Sequence, residues 1–261
     1  AHVALQENLL RVSGLKKDSL PFGPVPVDCG ESGSTLRFLI PIFGALGIPA
    51  LFTGHGRLPQ RPIGCYLDCL PAHGLTCDTK GGLPLAISGK LTCGTFQLPG
   101  NVSSQFITGL LLALPLLKGN SEIVLTTPLQ STGYVEMTIE AMVSFGVTVI
   151  PTETGWQIPG GQTYHACRLA VECDWSQAAF FLAASALGSD LSLSGLLKDS
   201  AQGDRAALEL FQKFGAQINW EKDGSLHAKA GTLSGIEIDA GEIPDLVPAL
   251  AVCAALSPGK T

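Results

Sequence analysis

The chain repeats itself about every 70 residues. Four segments open on small polar or acidic residues and run into an apolar stretch: Glu31–Ile40, Ser103–Leu112, Asp174–Ala183 and Asp245–Val252. Ser34 and Ser104 are 70 positions apart, Ser104 and Ser176 are 72, and Asp174 and Asp245 are 71. A second series of amphipathic stretches stops at glycine, at Gly74, Gly146 and Gly215, with gaps of 72 and 69. A third series has hairpin character: Gly74–Ile87, Gly146–Ile158 and Gly215–Ala228. Self-similarity at one period means that each repeat is a single supersecondary block, so the architecture follows from the block.

Each block reads β-α-β-α-β-β. The first helix (residues 34–47, 103–117, 174–187) is apolar nearly all round, which predicts a buried helix. A strand follows at 49–53, 122–126 and 190–194. An amphipathic helix comes next (62–73, 134–145, 204–214) and stops at a glycine able to adopt a left-handed C-cap. Two strands close the block: 75–78 with 83–87, 147–150 with 156–158, and 216–220 with 226–228. Helices alternate with strands, yet hairpins are present, so the expected class is α+β with mixed sheets rather than a doubly wound parallel sheet. Residues 167–173 read as an extended strand running straight into Asp174, the expected crossover between a three-block domain (1–172) and a second, partial domain (173–261). In this register Asn8–Gly14 is the closing strand of a block, and Thr261 falls just after a first-series helix.

With 261 residues, 46% of them hydrophobic, the chain can bury a large core. A net charge of −6 opposes a nucleic-acid partner, because phosphate backbones need a basic field. A small anion focused by a few arginines stays compatible with it. The eight cysteines form no C-x-x-C pair and no zinc spacing with the five histidines, so free thiols and no metal are expected. The apolar run Phe106–Leu117 is too short to span a bilayer, and a cytoplasmic location is expected.

Small polar residues that open helices are ordinary N-caps. In register they also make an anion site from amides and hydroxyls. Gly33 lets a ligand approach the backbone, with the Ser34 and Thr35 hydroxyls beside it. Ser103, Ser104 and Gln105 offer two hydroxyls and an amide. Arg57 and Arg61 precede a helix that Pro62 can start, and arginine forks suit carboxylate or phosphate. Arg37 is read as a snorkelling structural residue in preference to an anion ligand. Asp174 and Asp245 are read first as helix caps.

Six motifs occur in order: Asp28-Cys-Gly-Glu-Ser-Gly-Ser-Thr-Leu-Arg37, Arg61-Pro-Ile-Gly64, Val102-Ser-Ser-Gln-Phe106, Ser131-Thr-Gly-Tyr134, Gln202-Gly-Asp204 and Ile243-Pro-Asp245. Together they resemble the motif series of the 5-enolpyruvylshikimate-3-phosphate synthase family along essentially the whole chain. The resemblance implies the enolpyruvyl transferase fold, an inside-out α/β barrel of six β-α-β-α-β-β blocks in two three-fold domains, of which this chain would hold about four. It implies transfer of the enolpyruvyl group of phosphoenolpyruvate to the 5-hydroxyl of shikimate 3-phosphate by a monomer that needs no metal or organic cofactor.

Carried over by position, Gly33, Arg61 and Gln105 match phosphoenolpyruvate contacts. Ser103, Ser104, Gln105 and Ser131 match shikimate 3-phosphate contacts, and Tyr134 matches an aromatic ring beside that substrate. Asp245 matches the carboxylate that acts on the 5-hydroxyl as base or orienter. The family's N-terminal lysine–serine pair has no counterpart here, nor do the glutamate, lysine and arginines of its C-terminal blocks. Two further readings follow: the isolated chain is a non-catalytic substrate-binding fragment, or it is a UDP-N-acetylglucosamine enolpyruvyl transferase. The second is disfavoured, because the loop Thr53–Gln60 lacks the reactive cysteine of that enzyme.

Overall fold

The computed structural model describes residues 2–15, 20–21 and 23–261. They divide into two compact units: Ala1–Leu98 with Gly109–Val124 and Ile150–Thr163, and Pro99–Thr108 with Leu125–Val149 and Tyr164–Thr261.

In the first unit, β1 (His2–Gln6) and β2 (Leu9–Ser13) form an antiparallel hairpin, so the strand expected at residues 8–14 is present. Strands β3 (Val25–Asp28) and β4 (Ala50–Thr53) pair in parallel across helix α1 (Gly33–Leu46). After α2 (Gly64–Cys69), β5 (Leu75–Asp78) and β6 (Leu85–Gly89) complete a mixed sheet of order β3-β4-β6-β5. Strands β7 (Thr95–Leu98), β8 (Ser121–Leu125), β9 (Ile150–Thr152) and β10 (Gly155–Ile158) reproduce that order as β7-β8-β10-β9. The repeat in sequence is thus a repeat in topology.

The third sheet has β11 (Leu191–Leu193), β12 (Gln217–Trp220) and β13 (Leu226–Lys229) in order β11-β13-β12. It has the same order without a first strand. Residues 167–173, expected to be that strand, carry no strand, and Cys173 donates its N–H to the Gly195 carbonyl at 3.1 Å. Extended propensity becomes a strand only with a ladder partner.

Helices α3 (Ser104–Ala113), α4 (Thr132–Ser144), α5 (Trp175–Ala186), α6 (Ala207–Phe214) and α7 (Val247–Leu256) fall where the pattern placed them, with two systematic differences. The helix expected over 103–117 ends at Ala113 and tightens into a 3₁₀ turn holding Pro115, and the helix expected over 62–73 likewise tightens before Pro71. Proline removes the N–H that would continue the α ladder. The glycine stops behave as expected: Gly74, Gly146 and Gly215 have φ of 85°, 79° and 115°.

The other difference concerns burial. Helix α5 buries Trp175, Ala178, Ala179, Leu182 and Ala186, a stripe at i, i+3, i+4, i+7 and i+11, against Phe211, Phe214 and Leu250. Phe180 and Phe181 on its other side are about half exposed. An apolar composition all round therefore did not make this helix buried all round.

Candidate active site

In the first unit, Ser32 starts α1 by accepting the Thr35 N–H on Oγ at 3.1 Å. The next residue, Gly33, is buried, and a Cβ there would stand 2.6 Å from Arg61 Nη1 and 3.2 Å from Arg37 Nη1. Two guanidinium groups therefore lie against a backbone that has no side chain to hold them off. Arg61 is exposed and Arg37 is only 3% exposed. Arg37 Nη2 donates to the Pro62 carbonyl at 3.2 Å. Burial, then the neighbouring charge of Arg61, lower its pKa. This corrects the snorkelling expectation, since the charged head is inside the fold and not in solvent. Pro62 does not open α2 either; Ile63 precedes the helix, which starts at Gly64.

In the second unit, Ser103 and Gln105 are partly exposed at the start of α3 and Ser104 is buried, with a long 3.4 Å bond from the Gln105 N–H to Ser103 Oγ. Helix α3 is tied to α4 by a 3.0 Å contact between the Thr108 and Thr138 hydroxyls. Ser131 precedes α4 with φ 58° and makes no side-chain cap. A carboxylate from elsewhere in this unit caps that end. Glu242 accepts the Ser131 N–H on Oε1 at 3.1 Å and the Thr132 N–H on Oε2 at 2.7 Å, placing a negative charge where the helix dipole favours one.

One turn into α4, the Tyr134 hydroxyl lies 2.7 Å from Asp245 Oδ2 and 3.1 Å from Asp204 Oδ2. Burial first, then the bond to Asp245 and the two negative charges, raise the Tyr134 phenol well above its ordinary value. The expectation that Asp245 caps a helix fails: Ile243 holds the capping position without a side-chain bond, and Asp245 sits inside the 3₁₀ turn with its carboxylate turned to Tyr134. Asp174 does cap α5, accepting the Ser176 and Gln177 N–H groups on Oδ1 at 2.7 and 3.2 Å. Burial opposes its charge, but those amides and the Ser176 hydroxyl outweigh it, and its pKa falls. Gln202 fixes the same corner, accepting from Trp175 N–H at 2.8 Å and donating to Cys173 C=O at 3.0 Å.

Tyr134, Asp174, Gln202, Asp204 and Asp245 line one cavity of about 530 Å³ within this unit. Such a cluster, one phenol between two carboxylates at the wall of a cavity, can orient a hydroxyl and take its proton. Ser103, Ser104, Gln105 and Ser131 are not among the residues lining it. Asp204 and Glu242 were missed as functional candidates. Asp204 was visible within the Gln202–Asp204 motif, and Glu242 stands directly before Ile243-Pro244-Asp245, but neither carries a signal of its partner more than 60 positions away.

The family model described as EPSP synthase (3-phosphoshikimate 1-carboxyvinyltransferase) matches residues 3–261. The 3-phosphoshikimate 1-carboxyvinyltransferase of Clostridium kluyveri is 44% identical over 237 residues, 90% of this chain and 55% of that protein. That of Clostridium beijerinckii is 40% identical over 268 residues, covering 100% and 62% respectively. Among solved structures, an EPSP synthase from Acinetobacter baumannii superposes with a TM-score of 0.77 at 24% identity, over 98% of this chain and 61% of that one. The enolpyruvyl transferase NikO of Streptomyces tendae superposes at 0.63 and 17% identity, over 86% and 55%. These structures share the fold with its mixed sheets. The chain spans 55% and 62% of the length of the two Clostridium relatives. A match along nearly every residue, added to the six ordered motifs and the repeated sheet order, shows that the chain belongs to the EPSP synthase (3-phosphoshikimate 1-carboxyvinyltransferase) family.

Proposed function

We propose that the protein to which this sequence belongs transfers the enolpyruvyl group of phosphoenolpyruvate to the 5-hydroxyl of shikimate 3-phosphate, with release of phosphate. The observation that carries this reading is the Asp245 carboxylate, held at 2.7 Å by Tyr134 on the wall of a cavity of about 530 Å³. A carboxylate so held can draw the proton from an attacking hydroxyl. Carbon 3 of phosphoenolpyruvate gains a proton, the 5-oxygen bonds to carbon 2, and Asp245 takes up the hydroxyl proton. Loss of a proton from carbon 3 and of phosphate from carbon 2 then restores the double bond.

Arg61, beside the side-chain-free Gly33, supplies a fork for the carboxylate or phosphate of phosphoenolpyruvate. Ser103, Ser104, Gln105 and Ser131 take shikimate 3-phosphate, with the Tyr134 ring beside it. The same reading divides the chain at residue 172/173 on the register of its helix starts. It also makes the whole enzyme a cytoplasmic monomer. Among the described residues no helix is long and apolar enough to cross a membrane.

On the family resemblance, the groups that protonate carbon 3 and hold the leaving phosphate lie outside these 261 residues. Losing several preorganised groups removes far more than the roughly 10²–10³ in turnover that one such donor supplies. Phosphate release should therefore be absent for residues 1–261 alone. It should appear when the sequence is extended with the flanking segments of the Clostridium kluyveri relative, and Asp245→Ala should abolish it. Release by the 261-residue chain that needs both substrates, or an extended enzyme indifferent to Asp245→Ala, would overturn the reading.

A further inference from the structure

The hydrogen bonds around Tyr134 are one proton short. Asp204 Oδ2, Tyr134 Oη and Asp245 Oδ2 form a row with spacings of 3.1 and 2.7 Å. A phenol has one proton to donate. The shorter contact has the length of a hydroxyl donating to a carboxylate, which assigns that proton to Asp245. The 3.1 Å contact then joins two oxygens with no hydrogen between them, unless Asp204 provides one.

The surroundings of Asp204 supply that hydrogen. The residue is 5% exposed, and its other oxygen, Oδ1, has no hydrogen-bond partner. The charges acting on it are both negative: Asp245 from the 3₁₀ turn Pro244–Leu246 and Asp174 from the start of α5. Tyr134 reaches it from α4 as a neutral group. Arg205, its neighbour in sequence, is exposed and donates from Nη1 to the Lys198 carbonyl at 3.1 Å. An ionised, buried carboxylate with one bare oxygen and two like charges is the arrangement that forces one member of such a set to keep its proton. Burial raises the Asp204 pKa and outweighs the Tyr134 contact, the next largest effect, which lowers it; the charges of Asp245 and Asp174 add smaller upward contributions.

We infer that Asp204 is a positioning residue held as the neutral carboxylic acid. It donates to Tyr134 so that Tyr134 donates to Asp245, which leaves Asp245 as the ionised partner at the end of a directed chain. The orientation of that chain toward a substrate hydroxyl rests on the proposed transferase reading; the proton on Asp204 does not.

Two experiments separate these. Infrared difference spectra of the 261-residue chain, wild type minus Asp204→Asn at neutral pH, should show one deuterium-sensitive carboxylic acid C=O band. Its absence overturns the assignment. In the extended enzyme, Asp204→Asn keeps a donor toward Tyr134 and Asp204→Leu does not. The Asn variant should exceed the Leu variant in kcat by about tenfold or more, with KM for shikimate 3-phosphate changed by less than about twofold, as expected when only transition-state orientation is lost. The acid limb of the kcat/KM profile should shift in the Leu variant alone. Equal loss in both variants would mean that the negative charge of Asp204 is what matters, and would overturn the inference. The isosteric Asn variant and the infrared band decide the question even if the Leu variant fails to fold. A carboxylic acid band without enolpyruvyl transfer in any extended form would sustain the proton assignment and sink the transferase reading.

Discussion

Gly33 and Arg61 occupy each other's space: a Cβ on the glycine would lie 2.6 Å from Nη1 of the arginine. Since Arg37 Nη1 is also within 3.2 Å of that point, Arg61 cannot retreat toward it without bringing two positive charges together. Gly33→Ala should therefore push the exposed Arg61 outward while leaving the fold intact. In an extended enzyme KM for phosphoenolpyruvate should rise about tenfold or more, the loss of one charge-assisted hydrogen bond. Unchanged KM with an unchanged melting temperature would separate Arg61 from the substrate.

Gly109 makes a tighter approach. A Cβ there would overlap both the Tyr66 hydroxyl and the Arg37 carbonyl oxygen, which are joined by a 2.9 Å hydrogen bond. Tyr66 is fully buried, so its hydroxyl has no water to turn to. Gly109→Ala should cost about 3 kcal/mol or more through overpacking and the broken bond. Denaturant unfolding of the purified chain measures this, and a loss below about 1 kcal/mol would show that α1 and α3 can part at no cost.

Asp174 should stabilise the protein only where it is ionised. Its folded pKa lies below the ordinary carboxylate value, so its contribution is present above that value and is lost as pH falls through the folded pKa. Denaturation midpoints of wild type and Asp174→Ala should differ at about pH 7 and converge by about pH 2. A gap that is the same at both would place the effect in helix propensity.

Asp204 has the opposite sign. A carboxyl whose pKa is raised on folding stabilises below its unfolded value, and that contribution is lost as pH rises through the folded pKa. Asp204→Asn, which has no such proton to lose, should gain on wild type as pH rises above the ordinary carboxylate value of about 4. Thermal melts across that range test it, and parallel curves would contradict a raised pKa.

Glu242 provides the cap that Ser131 does not. Glu242→Ala should lower stability by about 1 kcal/mol, the usual value of a lost N-terminal cap. Amide exchange at Ser131 and Thr132 should accelerate with it. Unaltered exchange at those two amides would show that the carboxylate is dispensable there.

Much of this was legible because it is local. The Gly74, Gly146 and Gly215 stops, the Asp174 cap and the β-α-β-α-β-β order each depend on residues within a few positions of one another, and a period near 70 shows them more than once. Pro71 and Pro115 are equally visible in the sequence, and each lies in the 3₁₀ turn where its helix ends. The six motifs located the candidate residues without locating their partners.

By itself the sequence determined the block, its repetition and the helix starts, because capping, hydrophobic periodicity and glycine stops are short-range effects. Tertiary structure decided the rest. Residues 167–173 have the pattern of a strand and lack a ladder. Asp245 has the position of a cap and turns instead to Tyr134, 111 residues earlier in the chain. Whether Arg37 ends in water or inside depends on the Pro62 carbonyl, 25 residues away. Which of two aspartates keeps a proton depends on their separation through one phenol, a distance that no spacing along the chain encodes.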